Sequence, residues 1–256
     1  MIDLHTHILP DLDDGAKGEE EFLAMARLAV QDGITRIVAT PHHQNGTYLN
    51  PRHKVEKEAA WANEILRSKG IPLEIYPGQE IRIYEGLLQD LANRDLLTLD
   101  PRSHYLLLEL PSQSVPHYME KLIYEILMLG ITPVIPHPER NMAIRRQPLL
   151  LYRMAKAGAI IQVTAGSLLG HFGKETQRFT QDLFSHSLAH LVASDAHQAA
   201  GPRIPALSGA YRMLRQWEGD LFAREIQDNA EKVAAGESIP VNEPEKIGRR
   251  RHFIFF

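Results

Sequence analysis

Apolar residues follow two alternating patterns along this chain. Short runs rich in Ile, Val and Leu lie at Met1 to Leu4, Ile34 to Ala39, Pro72 to Tyr76, Tyr105 to Leu110, Ile131 to Ile135, Ala159 to Val163 and His190 to Ser194. Each reads as a β-strand. Between them, apolar residues return every three or four positions, as they do on one face of a helix. Phe22, Met25, Ala26 and Ala29 mark one such face, ended by Gly33. Val55, Ala59, Ala62 and Leu66 mark a longer one, opened by Asn50-Pro51 and stopped by Gly70. Further helices are expected over about Tyr84 to Asn93, Ser114 to Leu129, Pro148 to Ala157, Thr176 to Ser187, Pro205 to Trp217 and Asp220 to Ala235.

Strand and helix in strict alternation, joined by short turns, predict an α/β fold with parallel strands and helical crossovers. An open doubly wound sheet gives the same alternation. The polar residues favour a distorted seven-stranded TIM-like (β/α) barrel, one strand short of the usual eight. His5, His7 and Asp14 follow the first strand, and His42 follows the second. Glu80 follows the third, Glu109 lies in the fourth, His137 follows the fifth, and Asp195 and His197 follow the seventh. In a barrel all these C-terminal strand ends meet at one rim. With no boundary, repeat or low-complexity segment in view, residues 1–256 read as one domain, with about 240–256 as a C-terminal extension.

Composition narrows the chemistry. There are no cysteines among the 256 residues, which excludes disulfides, thiolate metal sites and cysteine nucleophiles. A net charge of -4 does not suit nucleic acid as a partner. The N-terminus has no signal-peptide pattern and no apolar run is long enough to span a bilayer, so a cytoplasmic location without membrane insertion is expected. Histidine is abundant, 13 in all. His5 and His7 alternate on one strand and share a face. Imidazole and carboxylate without thiolate suit manganese, iron or zinc. Asp14, Glu80, Glu109 and Asp195 bring four negative charges to five neutral imidazoles. Two divalent ions balance that set, and three leave positive charge for a hydroxide and a phosphate ester, so two to three per chain are expected.

Taken together, His5-Thr6-His7, Asp14, His42, Glu80, Glu109, His137 and Asp195-Ala196-His197 resemble the trinuclear site of the PHP (polymerase and histidinol phosphatase) superfamily. Asp3-Leu4-His5-Thr6-His7-Ile8-Leu9-Pro10, Ala39-Thr40-Pro41-His42-His43 and His137-Pro138-Glu139-Arg140 are similar to its CpsB/YwqE branch. The resemblance covers nearly the whole chain in motif order. It implies a manganese-dependent protein-tyrosine phosphatase, a phosphoric monoester hydrolase. The implied partner is a tyrosine-phosphorylated protein, a bacterial tyrosine kinase that controls capsule or exopolysaccharide synthesis. It assigns His5, His7, Glu80 and Asp195 to one metal, Glu80, Glu109 and His137 to a second, and Asp14, His42 and His197 to a third. Arg140, His42, His137 and Asp195 are expected to carry the chemistry. Arg140 binds the substrate phosphate, and Arg203 is a second candidate, one residue off the family spacing.

Other residues have plainer readings. His43 reads as structural beside its neighbour His42, and Asp11 and Asp13 as ordering the loop or relaying protons. Tyr48 and Phe172 read as aromatics at the mouth or as packing. The remaining histidines, His53, His104, His117, His171, His186 and His190, read as ordinary. The basic and aromatic end, Arg249 to Phe256, reads as a segment pinned on the body or at a subunit interface, and homo-oligomerisation stays open. Histidinol-phosphate phosphatase or another PHP phosphoesterase is the runner-up. A kinase-binding regulatory module is the non-enzyme alternative.

Overall fold

The computed structural model describes residues 1–248, so the end from Arg249 to Phe256 lies outside the described residues. The strands are β1 (Ile2–Thr6), β2 (Arg36–Ala39), β3 (His42–His43), β4 (Glu74–Pro77), β5 (Glu80–Arg82), β6 (Tyr105–Glu109), β7 (Thr132–Pro136), β8 (Ile160–Thr164) and β9 (Leu191–Ala193). All pair in parallel, in a sheet β1-β2-β4 and a sheet β3-β5-β6-β7-β8-β9. The alternation of strand and helix is therefore present as read, but the second and third expected strands each break in two.

The breaks have local causes. Pro41 interrupts the second strand, since it offers no N–H to a ladder. Gly78 interrupts the third, where its N–H donates to the Ala39 carbonyl at 2.8 Å. A Cβ at Gly78 would stand 2.7 Å from Cγ1 of Val38, so only glycine lets the strands come this close. Past each break the strand joins the other sheet, with His42 opposite Glu80. On its other side, β1 meets the segment that follows β9. Asp195 N–H donates to the His5 carbonyl at 2.9 Å, and His7 N–H donates to the Ala196 carbonyl at 2.8 Å.

Eight helices match expectation: Gly18–Gln31, Arg52–Ser68, Leu87–Asn93, Met119–Met128, Leu149–Lys156, Lys174–Ser185, Ser208–Glu218 and Asp220–Ala234. The fourth starts later than Ser114, because the chain first turns at Pro116, whose carbonyl accepts the Met119 N–H. Short helices at Met142–Arg146 and Ala165–Leu168 and a 3-10 turn at Pro138–Arg140 were not expected. Among the described residues, no helix is long and apolar enough to cross a membrane.

Side chains alternate along each strand and sort into two clusters. Leu106 and Leu108 join the large cluster under the helices. Tyr105 and Leu107 join a smaller one with Ile2, Leu4, Val38, Val134, Ile160 and Leu191, backed by Ala230 and Val233. This second face leads to the site. Two residues beyond Leu107 it carries Glu109, two beyond Ile160 it carries Gln162, and past Leu191 it carries Asp195.

Candidate metal centre

The loop after β1 is folded tightly against its own strand end. Gly15 packs so closely that a Cβ there would lie 2.0 Å from the His7 carbonyl oxygen. This brings Asp13 beside His7. One Asp13 oxygen accepts from His7 Nδ1 at 2.6 Å and from the His42 N–H at 2.8 Å, and the other accepts from the Gly15 N–H at 2.9 Å. Asp13 therefore orders the loop and also orients the His7 ring, with Nε2 facing inward. Gln162 does the same for His5, its Oε1 lying 3.1 Å from Nδ1.

The two Nε2 atoms lie 3.2 Å apart. Each is 3.3 to 3.4 Å from Glu80 Oε2 and 3.5 Å from Asp195 Oδ1. Four potential ligand atoms thus converge. His42 Nδ1 lies 2.9 Å from the same Glu80 Oε2, but not in hydrogen-bond alignment, and neither atom has another hydrogen-bond partner. Buried polar atoms without a partner are costly, and a cation at their centre removes the cost. The donor set fits a metal.

All nine expected ligands come together. His137 Nε2 lies 2.7 Å from Glu80 Oε1, and Glu109 Oε2 lies 3.7 Å from His42 Nδ1. His42 Nε2 and His197 Nε2 each lie 3.5 Å from Asp14 Oδ1. Donor atoms close enough to share an ion form three groups: His5, His7 and Glu80; His42, Glu80 and Glu109; and His7, Asp14, His42 and His197. The groups overlap at His7 and His42, which the family partition gives to one metal each, and at Glu80, which it gives to two. His137 and Asp195 sit in the left-handed region, at φ 40° and 52°. For residues other than glycine this costs roughly 1–3 kcal/mol each, and such strain gathers at functional sites.

The electrostatics draw in positive charge. Burial opposes the His7 imidazolium, but Asp13 and Glu80 outweigh it and push its pKa up to about 10. His42 also rises, because the Glu80 charge overcomes burial. Burial raises Glu80, yet the neighbouring His5 and His42 hold it well below the usual carboxylate range. Asp195 is likewise held low against burial by Arg140 and His5. His197 falls to about 4 through burial and the neighbouring His7.

Three guanidinium groups surround the donors. Arg140 donates to Asp195 Oδ2, and its Cζ lies 5.2 Å from the centre of the Phe172 ring. Arg203 donates to Asp195 Oδ1 at 2.9 Å and to His197 Nε2 at 2.8 Å. Arg82 holds both Glu109 oxygens, at 2.9 and 2.8 Å. Glu139 is fully buried and accepts from the Thr164 N–H at 2.9 Å and the Ser167 hydroxyl at 2.7 Å, so it makes no surface bridge to Arg140. A cavity of about 140 Å³ opens here, lined by Glu109, Ser112, His137, Arg140 and Asn141 among others. Tyr48 lies over His42, ring centres 6.2 Å apart and planes within 7°. Sequence reasoning missed Arg82, although alternation from Glu80 places it on the donor face. It also missed Gln162, for which no signal exists.

The family model for capsular polysaccharide synthesis, CpsB/CapC, matches residues 1–235. The chain belongs to the CpsB/CapC family. It is 43% identical over 256 residues to the tyrosine-protein phosphatase YwqE of Bacillus subtilis (strain 168), covering all of both chains. It is 30% identical to the tyrosine-protein phosphatase CpsB of Streptococcus pneumoniae over 239 residues, 91% of this chain and 98% of that one. A crystal structure from work on YwqE and CpsB, described as unique metal-dependent tyrosine phosphatases, superposes with a TM-score of 0.93 at 43% identity. It covers 97% of this chain and 100% of that one. A D-hydantoinase from Thermus sp. shares the fold alone, with a TM-score of 0.51 at 11% identity over 95% of this chain and 73% of that one. The CpsB/YwqE branch read from the sequence motifs is borne out.

Proposed function

We propose that this chain is a metal-dependent tyrosine-protein phosphatase that removes phosphate from tyrosine residues of proteins. The observation that carries the reading is the convergence of imidazole and carboxylate donors beside guanidinium groups. The relatives' names agree with it. His5, His7, Glu80 and Asp195 hold one ion, Glu80, Glu109 and His137 a second, and Asp14, His42 and His197 a third, for two to three per chain. Manganese fits these donors, with iron and zinc as alternatives. When bound, such ions supply Lewis acidity toward phosphoryl oxygens and make water a nucleophile at neutral pH.

The chain's own residues do the rest. Asp13 and Gln162 hold the Nδ1 edges of His7 and His5, so that both Nε2 atoms face inward. Arg140 and Arg203 take the phosphoryl oxygens, where charge spreads in the transition state. With no cysteine in the chain, phosphoryl transfer goes to water without a thiophosphate intermediate. The bonds between β1 and the segment after β9 support a closed seven-stranded barrel in one domain, its donors gathered at the C-terminal strand ends. The substrate proposed is a phosphorylated tyrosine kinase of capsule or exopolysaccharide synthesis, met in the cytoplasm.

The test compares kcat/KM on matched peptides carrying phosphotyrosine, phosphoserine or phosphothreonine, with manganese present and histidinol phosphate alongside. Phosphotyrosine should be the best substrate. A preference for histidinol phosphate moves the chain to that activity, and equal rates on all peptides make it a general phosphatase.

A further inference from the structure

The phosphate-binding role of Arg140 leaves open what aims its guanidinium. A flexible side chain that has lost several rotamers needs something to hold it. Its ion pair with Asp195 fixes one edge. The flat face rests over Phe172, 5.2 Å from the ring centre, within range of a cation–π contact. Phe172 is half-buried, yet it belongs to neither apolar cluster, and it is not among the partly buried residues that pack against them. Its ring instead meets the backbone of the Ala165–Leu168 helix at Gly166. A Cβ on Gly166 would stand 2.9 Å from Cε2 of Phe172 and 3.2 Å from the Pro202 carbonyl oxygen.

Three further contacts tie this small helix and its flanks to the arginines. Glu139, next to Arg140, accepts from Thr164 N–H and from the Ser167 hydroxyl. His171 Nδ1 lies 3.2 Å from the Pro202 carbonyl oxygen, one residue before Arg203. The Ala165–Leu168 helix therefore supports the turn that carries Arg140 and the loops that carry Phe172 and Arg203. The tightest point of that support is Gly166.

We propose that Phe172, seated on Gly166, is a positioning residue for the phosphate clamp: it holds the Arg140 guanidinium flat and aimed at the donor cluster. Phe172 itself touches neither metal donors nor reacting atoms. The proposal rests on the phosphatase reading above and names a residue outside the metal set.

Inorganic phosphate is the probe, as a competitive inhibitor of the manganese-loaded protein with a phosphotyrosine peptide as substrate. Phe172→Leu keeps an apolar side chain but removes the aromatic face. It should weaken phosphate binding about five- to tenfold, in line with a cation–π contact of about 1 kcal/mol. KM should rise with it, and bound metal per chain should stay at the wild-type value. Phe172→Tyr, which restores the ring, should return both constants to near wild type. Gly166→Ala, which displaces the ring without changing it, should reproduce the leucine phenotype with metal retained. The idea is overturned if Phe172→Leu binds phosphate as wild type does while Arg140→Ala does not. It is equally overturned if tyrosine fails to rescue, or if the leucine variant loses metal, since Phe172 would then be packing. If wild type neither binds phosphate nor releases it from the peptide, the phosphatase reading fails instead.

Discussion

Asp100 and Asp195 are both buried carboxylates, set at opposite ends of the strands, and their partners differ in kind. Asp100, before β6, accepts only backbone N–H groups, from Arg102, His104 and Tyr105 at 2.8 to 3.2 Å. The Asp195 carboxylate, after β9, meets guanidinium and imidazole groups. At the first end the backbone satisfies the Asp100 carboxylate, so its role is structural. At the other end the polar atoms face one another and need something added. Burial and charge alone do not separate the two ends, but the identity of the partners does.

Exchanging charge for amide at each end should give the largest contrast. Glu80→Gln, at a carboxylate shared by two of the three donor groups, should drop phosphotyrosine hydrolysis to background and lower bound metal by at least one ion per chain, read by elemental analysis. Asp100→Asn should keep metal and activity but lose roughly 1–3 kcal/mol of stability in urea unfolding, as backbone donors lose an acceptor. Metal loss in the second variant would erase the distinction drawn here.

Arg140→Ala should come next, lowering kcat/KM by about 10²–10³ with metal content unchanged. Arg82→Ala should act on assembly instead. Freed from its fork, Glu109 should bind metal about 10- to 100-fold more weakly, as measured by competition with a chelator. Equal effects of the two arginines on metal retention would mean that Arg140 is structural.

The smallest effect belongs to the end that carries Asp100. His190 is buried, and its Nδ1 accepts the Ile161 N–H at 3.0 Å. Burial lowers its pKa to about 4 from the usual 6.5. The folded state thus binds this proton less well than the unfolded chain. The stabilisation is whole above pH 6.5 and is lost as the pH falls toward 4. Near pH 5.5 the loss should be about 1 kcal/mol. His190→Asn, which keeps an acceptor for Ile161, should lack this part of the acid slope in unfolding midpoints.

The sequence showed the donor end more clearly than the Asp100 end. His5, His7, Glu80, Glu109 and Asp195 were legible because strands end where their apolar runs end, and unusual residue types stood there. Arg82 was readable in principle from the alternation that places Glu80. Gln162 was not, because its partner His5 lies 157 positions away. The break at Pro41 has a sequence signal. The break at Gly78 does not, since its cause is the approach of Val38 from the neighbouring strand. The helix at Met142–Arg146 is too short to show periodicity, although Asn141 caps it by accepting from the Ala143 and Ile144 N–H groups.

The seam between β1 and the segment after β9 also sets an order of assembly. His5 and His7 leave the ribosome first and wait for Asp195 and His197, almost the whole chain later. The bonds that hold β1 on that side come from Asp195 and Ala196 themselves. A growing chain that stops short of them has a one-sided first strand and an incomplete set of donors. A truncation before Asp195 therefore removes two of the converging side chains and the strand's second neighbour in one cut.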